Sequence, residues 1–126
     1  MTYYFRIEGR IKPYVRMTQR SKHVNPQAIE YISSQEALQL ALRQQMTEHG
    51  WEMLPGQTPV EVHIFISPAN HRRDLDNEAK AILDAMSGIV FPDDRWVDKL
   101  WVSRDEPGEP EVEIRVWVIE EYDRRV

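Results

Sequence analysis

Apolar and polar residues alternate in several parts of the chain, as in strands that bury one face. The alternation covers Thr2–Glu8, Val60–Ile66 and the last strand at 112–118. A further strand is predicted from Trp96 to about Arg104, between the turns FPDD and PGEP. We expect the PGEP turn to join this strand to the last one in a hairpin. The pattern therefore predicts four short strands.

Two other stretches repeat apolar residues at the three-to-four spacing of a helix. The first begins at Ser33, which has the form of a capping box with Glu36 three positions later, and it ends at Gly50. The second runs from about Asn77 to Ser87, with Gly88 as its stop. The predicted inward stripes are Leu38, Ala41, Leu42 and Met46 in the first helix and Ala79, Ile82, Leu83 and Met86 in the second.

The order of the predicted elements is β, loop, α, β, α, β, β. The loop covers residues 9–32, is polar and basic, and shows no clear period, although part of it is compatible with another strand. So long a stretch in a compact domain is often a functional loop. A length of 126 residues corresponds to one domain. We predict a single α+β domain over residues 1–126, with two helices packed on one mixed β-sheet.

The composition excludes several classes of protein. The chain has no cysteine, which rules out disulfides, thiolate zinc sites and a cysteine nucleophile. No apolar run approaches the roughly 18 residues of a membrane span. The N-terminus lacks the basic-then-apolar order of a secretory signal. We therefore expect a cytoplasmic globular protein with no membrane partner.

The net charge of −5 is unusual for a protein that binds nucleic acid, but the charge is unevenly distributed. Residues 1–33 contain six basic and two acidic residues, whereas residues 74–126 contain seven basic and fifteen acidic ones. A basic head can contact phosphates, and it can equally be a solvated loop. The candidates for DNA contact in this head are Arg10, Lys12, Arg16, Arg20 and Lys22.

Carboxylates are concentrated between residues 74 and 94. Asp74 and Asp76 stand two apart where a strand exits toward a helix, and in an extended segment such residues point the same way. Asp94, after Asp93, sits in the turn that follows this helix. Several carboxylates near strand ends favour Mg²⁺ or Mn²⁺. The simpler alternatives are that Asp76 is a helix N-cap and that Asp93 and Asp94 are ordinary turn residues.

A lysine and two arginines accompany these carboxylates. Lys80 lies one helical turn past Asp76, where an ammonium group can stabilise the transition state of phosphodiester hydrolysis. Arg72 and Arg73 are placed to hold flanking phosphates. Lys80 can also form an ordinary surface salt bridge with Asp76 or Asp84, and the arginines can simply be solvated.

Taken together, these residues resemble the RusA family of Holliday-junction resolvases. The resemblance is strongest over residues 60–105, and the combination of elements is more specific than any one of them. Those elements are RRDLDN at Arg72–Asn77, then Lys80, Asp84–Ala85, Gly88, the pair Asp93–Asp94 and Val97.

The resemblance implies a homodimeric α/β endonuclease that resolves four-way DNA junctions in recombination and repair. It implies Mg²⁺ as the cofactor, with Mn²⁺ as a substitute. It also implies that Asp74, Asp76 and Asp94 form the metal site and that Lys80 is catalytic. The other matching residues, Asn77, Asp84 and Asp93, are expected to support these four.

Two further hypotheses remain open from the sequence. The same nuclease chemistry can act on other branched DNA, such as flaps or forks, and a panel of substrates would separate these cases. Alternatively, the chain is a non-catalytic DNA-binding protein of the same fold. That hypothesis predicts junction binding that is insensitive to EDTA and yields no cleavage products.

Overall fold

The structure, a computed structural model, describes residues 2–8, 26–67, 74–104 and 112–119. Within these residues two helices and four strands form an α+β arrangement, as predicted from the sequence. In chain order the elements are β1 (Thr2–Ile7), α1 (Pro26–His49), β2 (Val60–Ile66), α2 (Leu75–Met86), a 3₁₀ turn (Asp94–Trp96), β3 (Val97–Arg104) and β4 (Val112–Val118).

The four strands form one mixed sheet in the order β1-β4-β2-β3. Strand β4 runs antiparallel to both β1 and β2, whereas β3 runs parallel to β2. The predicted hairpin between β3 and β4 is therefore wrong, since β2 lies between them. Strand β4 buries every second side chain and takes an inner position, whereas β3 is largely exposed and takes the edge. The helix between β2 and β3 provides the long crossover that a parallel pair needs.

Helix α1 begins at Pro26 rather than at Ser33, so the predicted capping box is wrong. Ser33 and Glu36 both lie inside the helix and are exposed. Proline is favoured in the first helical turn because its missing N–H has no partner there in any case. Ala28 and Tyr31 are buried and carry the apolar stripe back toward this start. Residues 26–32 of the predicted loop are thus helical, and the rest of that loop lies outside the described residues.

Both helices pack on one face of the sheet and form the core with it. The strands contribute side chains from alternating positions, such as Phe5, Ile64 and Ile114, and the helices contribute Leu42 and Ile82, all of them fully buried. In the part of the chain that the structure describes, neither helix is apolar enough over sufficient length to cross a membrane.

Candidate active site

Helix α2 and the edge strand β3 border a cleft of about 850 Å³. All four residues predicted to carry the chemistry line this one space. The polar lining consists of Asp74, Asp76, Lys80, Asp94 and Arg104, and the apolar lining of Leu75, Ala79, Leu83, Leu100 and Val102. The fold thus brings together residues that are up to thirty positions apart in the sequence.

Asp74 and Asp76 reach the cleft from different backbone conformations. Asp74 is the extended N-cap residue of α2, and its side chain makes no capping hydrogen bond. Asp76 lies within the first helical turn, where its Oδ1 accepts a hydrogen bond from the backbone N–H of Asn77 at 3.0 Å. The alternative that Asp76 is the N-cap is therefore wrong. The two carboxylates share the cleft because both are near the start of α2, and not because they alternate along one extended segment.

Asp93 and Asp94 are adjacent but have different surroundings. The Oδ1 of Asp93 accepts a hydrogen bond from the backbone N–H of Arg95 at 2.9 Å and caps the 3₁₀ turn. Asp94 is half-buried and faces the cleft. Burial raises the pKa of Asp94, the charges of Asp93 and Asp84 raise it further, and the positive charge of Lys80 lowers it. Negative charge is therefore concentrated around Asp94, and a cation would be stabilised there.

Lys80 combines a position in the cleft with an ion pair on its own helix. Its Nζ lies 3.6 Å from Oδ1 of Asp84, one turn further along α2, and half of its side chain is exposed. Its positive charge also opposes the raised pKa of Asp94, which lines the same cleft. The salt bridge that was open as a simpler interpretation is thus present, and it is compatible with a role in the cleft.

The donor chemistry of the cleft fits a divalent cation of the magnesium class. Asp74, Asp76 and Asp94 supply carboxylate oxygens, which Mg²⁺ and Mn²⁺ prefer. In the described residues, no group of three or more His, Asp or Glu side chains is arranged to hold a metal ion. The residues therefore agree with the cation in chemistry and in sharing one cleft, and they do not form a closed set of ligands.

Arg104 is a cleft residue that the sequence analysis missed. It lies at the end of β3, opposite Ile66 of β2, and shares a strand face with Leu100 and Val102. Because these three residues are two apart along β3, alternation in the sequence predicts that they share one face of the strand. Alternation does not show that this face borders the cleft, since that depends on β3 lying parallel to β2 and beside α2.

The basic residues predicted to contact DNA lie outside the described residues. They are Arg10, Lys12, Arg16, Arg20, Lys22, Arg72 and Arg73. Their contribution to DNA binding stays a prediction.

Comparison with known families gives a match over most of the chain. The family described as "Endodeoxyribonuclease RusA" matches residues 6–117, including the N-terminal half, where the resemblance was weak. No curated protein matches the chain. Because the family match spans most of the 126 residues, the chain belongs to the RusA family of endodeoxyribonucleases.

Proposed function

We propose that this protein is a divalent-metal-dependent endonuclease that resolves four-way DNA junctions. The observation that carries the proposal is that one cleft is lined by three aspartates, one lysine and one arginine. Membership of the RusA family supplies the nuclease class, and the cleft supplies the residues for the chemistry.

The three aspartates of the cleft suit phosphodiester hydrolysis only if their negative charge is compensated. Asp74, Asp76 and Asp94 would repel the anionic backbone of DNA if they faced it alone. These three residues would hold Mg²⁺, or Mn²⁺ in its place. A divalent cation bound there supplies charge neutralisation and the activation of a water molecule for attack on phosphorus.

The two basic residues of the cleft suit phosphate binding and charge stabilisation. The ammonium group of Lys80 stabilises the extra negative charge that develops on the phosphate in the transition state. The guanidinium group of Arg104, at the end of β3, holds a neighbouring phosphate in the orientation needed for attack. The two cations thus have distinct roles, Lys80 at the reacting group and Arg104 at the DNA backbone.

DNA contacts beyond the cleft are assigned to the basic residues on either side of it in sequence. Arg72 and Arg73 directly precede Asp74, so they would contact phosphates next to the scissile one. The basic head, from Arg10 to Lys22, would contact the arms of the junction. These contacts make affinity fall steeply with salt.

We further propose that the protein acts as a homodimer. A four-way junction has approximate two-fold symmetry, and its resolution requires two matched nicks. A dimer with two-fold symmetry provides two equivalent clefts related by the same axis. Sedimentation velocity of the protein alone should therefore give a dimer mass, and a monomer that nicks both strands in concert would contradict this part of the proposal.

The test of the proposed function is cleavage of a synthetic four-way junction with Mg²⁺, with Mn²⁺ and with EDTA. We expect paired nicks with either metal, none with EDTA, and none for Asp76→Asn, which should still bind the junction. Linear duplex, flap and fork substrates of equal length complete the panel. Preferential cleavage of flaps or forks would show that these, and not the junction, are the substrate. Junction binding that needs no metal and gives no cleavage product would show that the protein is not catalytic.

A further inference from the structure

A series of polar contacts connects helix α1 to Lys80 in the cleft. The hydroxyl group of Tyr31 donates a hydrogen bond to Oδ2 of Asp84 at 3.1 Å. The other oxygen, Oδ1, lies 3.6 Å from Nζ of Lys80. Asp84 therefore contacts Tyr31 with one oxygen and Lys80 with the other, although Tyr31 and Asp84 are 53 positions apart in sequence.

This arrangement differs from an ordinary ion pair on a helix surface. A solvent-exposed pair four residues apart contributes little free energy and leaves both side chains mobile. Here the carboxylate is anchored from a second helix by Tyr31, which is 4% exposed. A second contact between the helices, from Nε2 of Gln35 to the backbone carbonyl of Ala81 at 2.8 Å, fixes α1 beside the same part of α2. The position of the Asp84 carboxylate is thus set by the packing of the two helices.

Lys80 has carboxylates both in the cleft and on its own helix. Asp94 lines the same cleft as Lys80, and Oδ1 of Asp84 lies 3.6 Å from the ammonium nitrogen. If Asp84 did not hold the ammonium group, the cleft carboxylates would attract it, and it would compete with a metal ion for their oxygens. A fixed counter-charge on the same helix instead holds the ammonium group 3.6 Å from Oδ1 of Asp84, while Lys80 still lines the cleft, where a phosphate can reach it.

We propose that Asp84 and Tyr31 are positioning residues for Lys80, with Asp84 holding the ammonium group and Tyr31 holding Asp84. This inference rests on the proposed function, because it assigns Lys80 a role in cleavage. It adds a second layer of residues, one of them on α1, to the four that the family resemblance identifies.

The experiment compares Tyr31→Phe with Tyr3→Phe. Both variants remove one hydroxyl group and keep the ring, and both tyrosines are 4% exposed. The Tyr3 hydroxyl donates to the backbone carbonyl of Glu52 at 2.6 Å, and Tyr3 does not line the cleft. Single-turnover cleavage of a four-way junction at saturating protein gives the rate constant, and EDTA-containing titrations give the Kd.

We expect Tyr31→Phe to lower the cleavage rate constant about fivefold to tenfold, the effect of about one lost hydrogen bond. The Kd should stay within about twofold for both variants, and Tyr3→Phe should cleave at the wild-type rate, because neither hydroxyl contacts DNA in this account. A merely structural role would instead lower the melting temperature of both variants and leave the rate constant of the folded protein unchanged. Equal rate constants for Tyr31→Phe and Tyr3→Phe would overturn the inference.

Asp84→Asn provides an independent test, which can also be made if Tyr31→Phe does not fold. The amide still accepts the hydrogen bond from Tyr31 but no longer carries the charge that holds Lys80. We expect a loss of rate at least as large as that of Tyr31→Phe. The double variant should be no slower than Asp84→Asn alone, since Tyr31 acts through Asp84. If the losses of cleavage rate in the two single variants multiply in the double variant, Tyr31 does not act through Asp84 and the inference is wrong. A wild-type protein without nuclease activity would instead contradict the proposed function itself.

Discussion

Residues of the same type have different surroundings in this fold. Asp93 accepts a backbone hydrogen bond from Arg95 and shapes the 3₁₀ turn, while Asp94 faces the cleft. Arg104 faces the cleft from the end of β3, while Arg115 lies on the other face of the sheet beside Tyr4 and Phe65. The role of each side chain therefore follows from its element and register, and the residue type alone does not determine it.

Replacement of Arg104 should weaken DNA binding in a characteristic way. Arg104→Gln removes one cation from the cleft, so we expect the Kd for a junction to rise about tenfold and the slope of log K against log salt to fall by about one. Titrations at several salt concentrations in EDTA measure both quantities. Arg115→Gln is the matched control, and an equal change for the two variants would remove Arg104 from the DNA interface.

The residues of the cleft were predictable to different degrees. Asp74, Asp76, Lys80 and Asp94 stand at spacings that suggest a metal site on chemical grounds, and the family resemblance predicts their roles. Periodicity carries no information on which side chains of separate elements meet. The contact from Tyr31 to Asp84 and the entry of Arg104 into the cleft depend on the packing of α1 on α2 and of β3 beside α2. Those contacts only become visible in the fold.

At the level of elements, the start of α1 and the position of β3 were not predictable from local patterns. Ser33 and Glu36 match a capping box, but burial of Ala28 and Tyr31 against the core favours a helix that starts seven residues earlier. Strand β3 was identified correctly, but its partner was not. A strand pattern indicates that a strand exists, whereas its neighbours in the sheet depend on long-range packing.

The start of α1 has a simple test. In the structure Ser33 is an exposed residue inside the helix, so Ser33→Ala should leave the free energy of unfolding unchanged or raise it by up to about 0.5 kcal/mol, since alanine favours helix more than serine does. An N-cap serine would instead cost about 1 kcal/mol on replacement. Urea unfolding, followed by circular dichroism, shows whether the free energy of unfolding falls by this amount or stays level or rises.

Helix α1 also contacts the outer edge of β1 at Arg6. The side chain of Gln45 accepts a hydrogen bond from the backbone N–H of Arg6 at 3.0 Å and donates one to its carbonyl oxygen at 2.8 Å, as a neighbouring strand would. Such contacts occupy backbone groups that are otherwise open to association with another chain.

Loss of this contact should be measurable. Gln45→Ala should lower the free energy of unfolding by about 1 kcal/mol relative to Gln44→Ala, which makes the same change of residue type at the preceding helical position. Because helix propensity changes equally in both variants, the difference reports the contact with Arg6. Chemical unfolding of both proteins measures it. Equal stability would show that the edge contact contributes nothing.

At the scale of the whole molecule, the net charge of −5 is compatible with a DNA partner because acidic and basic residues are separated. Part of the acidity lies in the cleft, where Asp74, Asp76 and Asp94 are the proposed ligands of a divalent cation. The excess of basic residues lies in the first 33 positions. The distribution of charge, and not its sum, is what agrees with a nuclease.

The central claim is that the cleft carboxylates, and not acidic residues in general, support metal-dependent cleavage. It is tested most directly by the junction-cleavage rate of two variants of adjacent residues, Asp94→Asn and Asp93→Asn, at saturating Mg²⁺. We predict a loss of at least about 100-fold for Asp94→Asn, a proposed metal ligand, because a lost cation removes several kcal/mol of transition-state stabilisation. Asp93→Asn keeps the oxygen that accepts from Arg95 and should stay within about threefold of the wild type, as expected for a capping role that asparagine fills equally well. Equal rates for the two variants, or full activity of Asp94→Asn, would contradict the account.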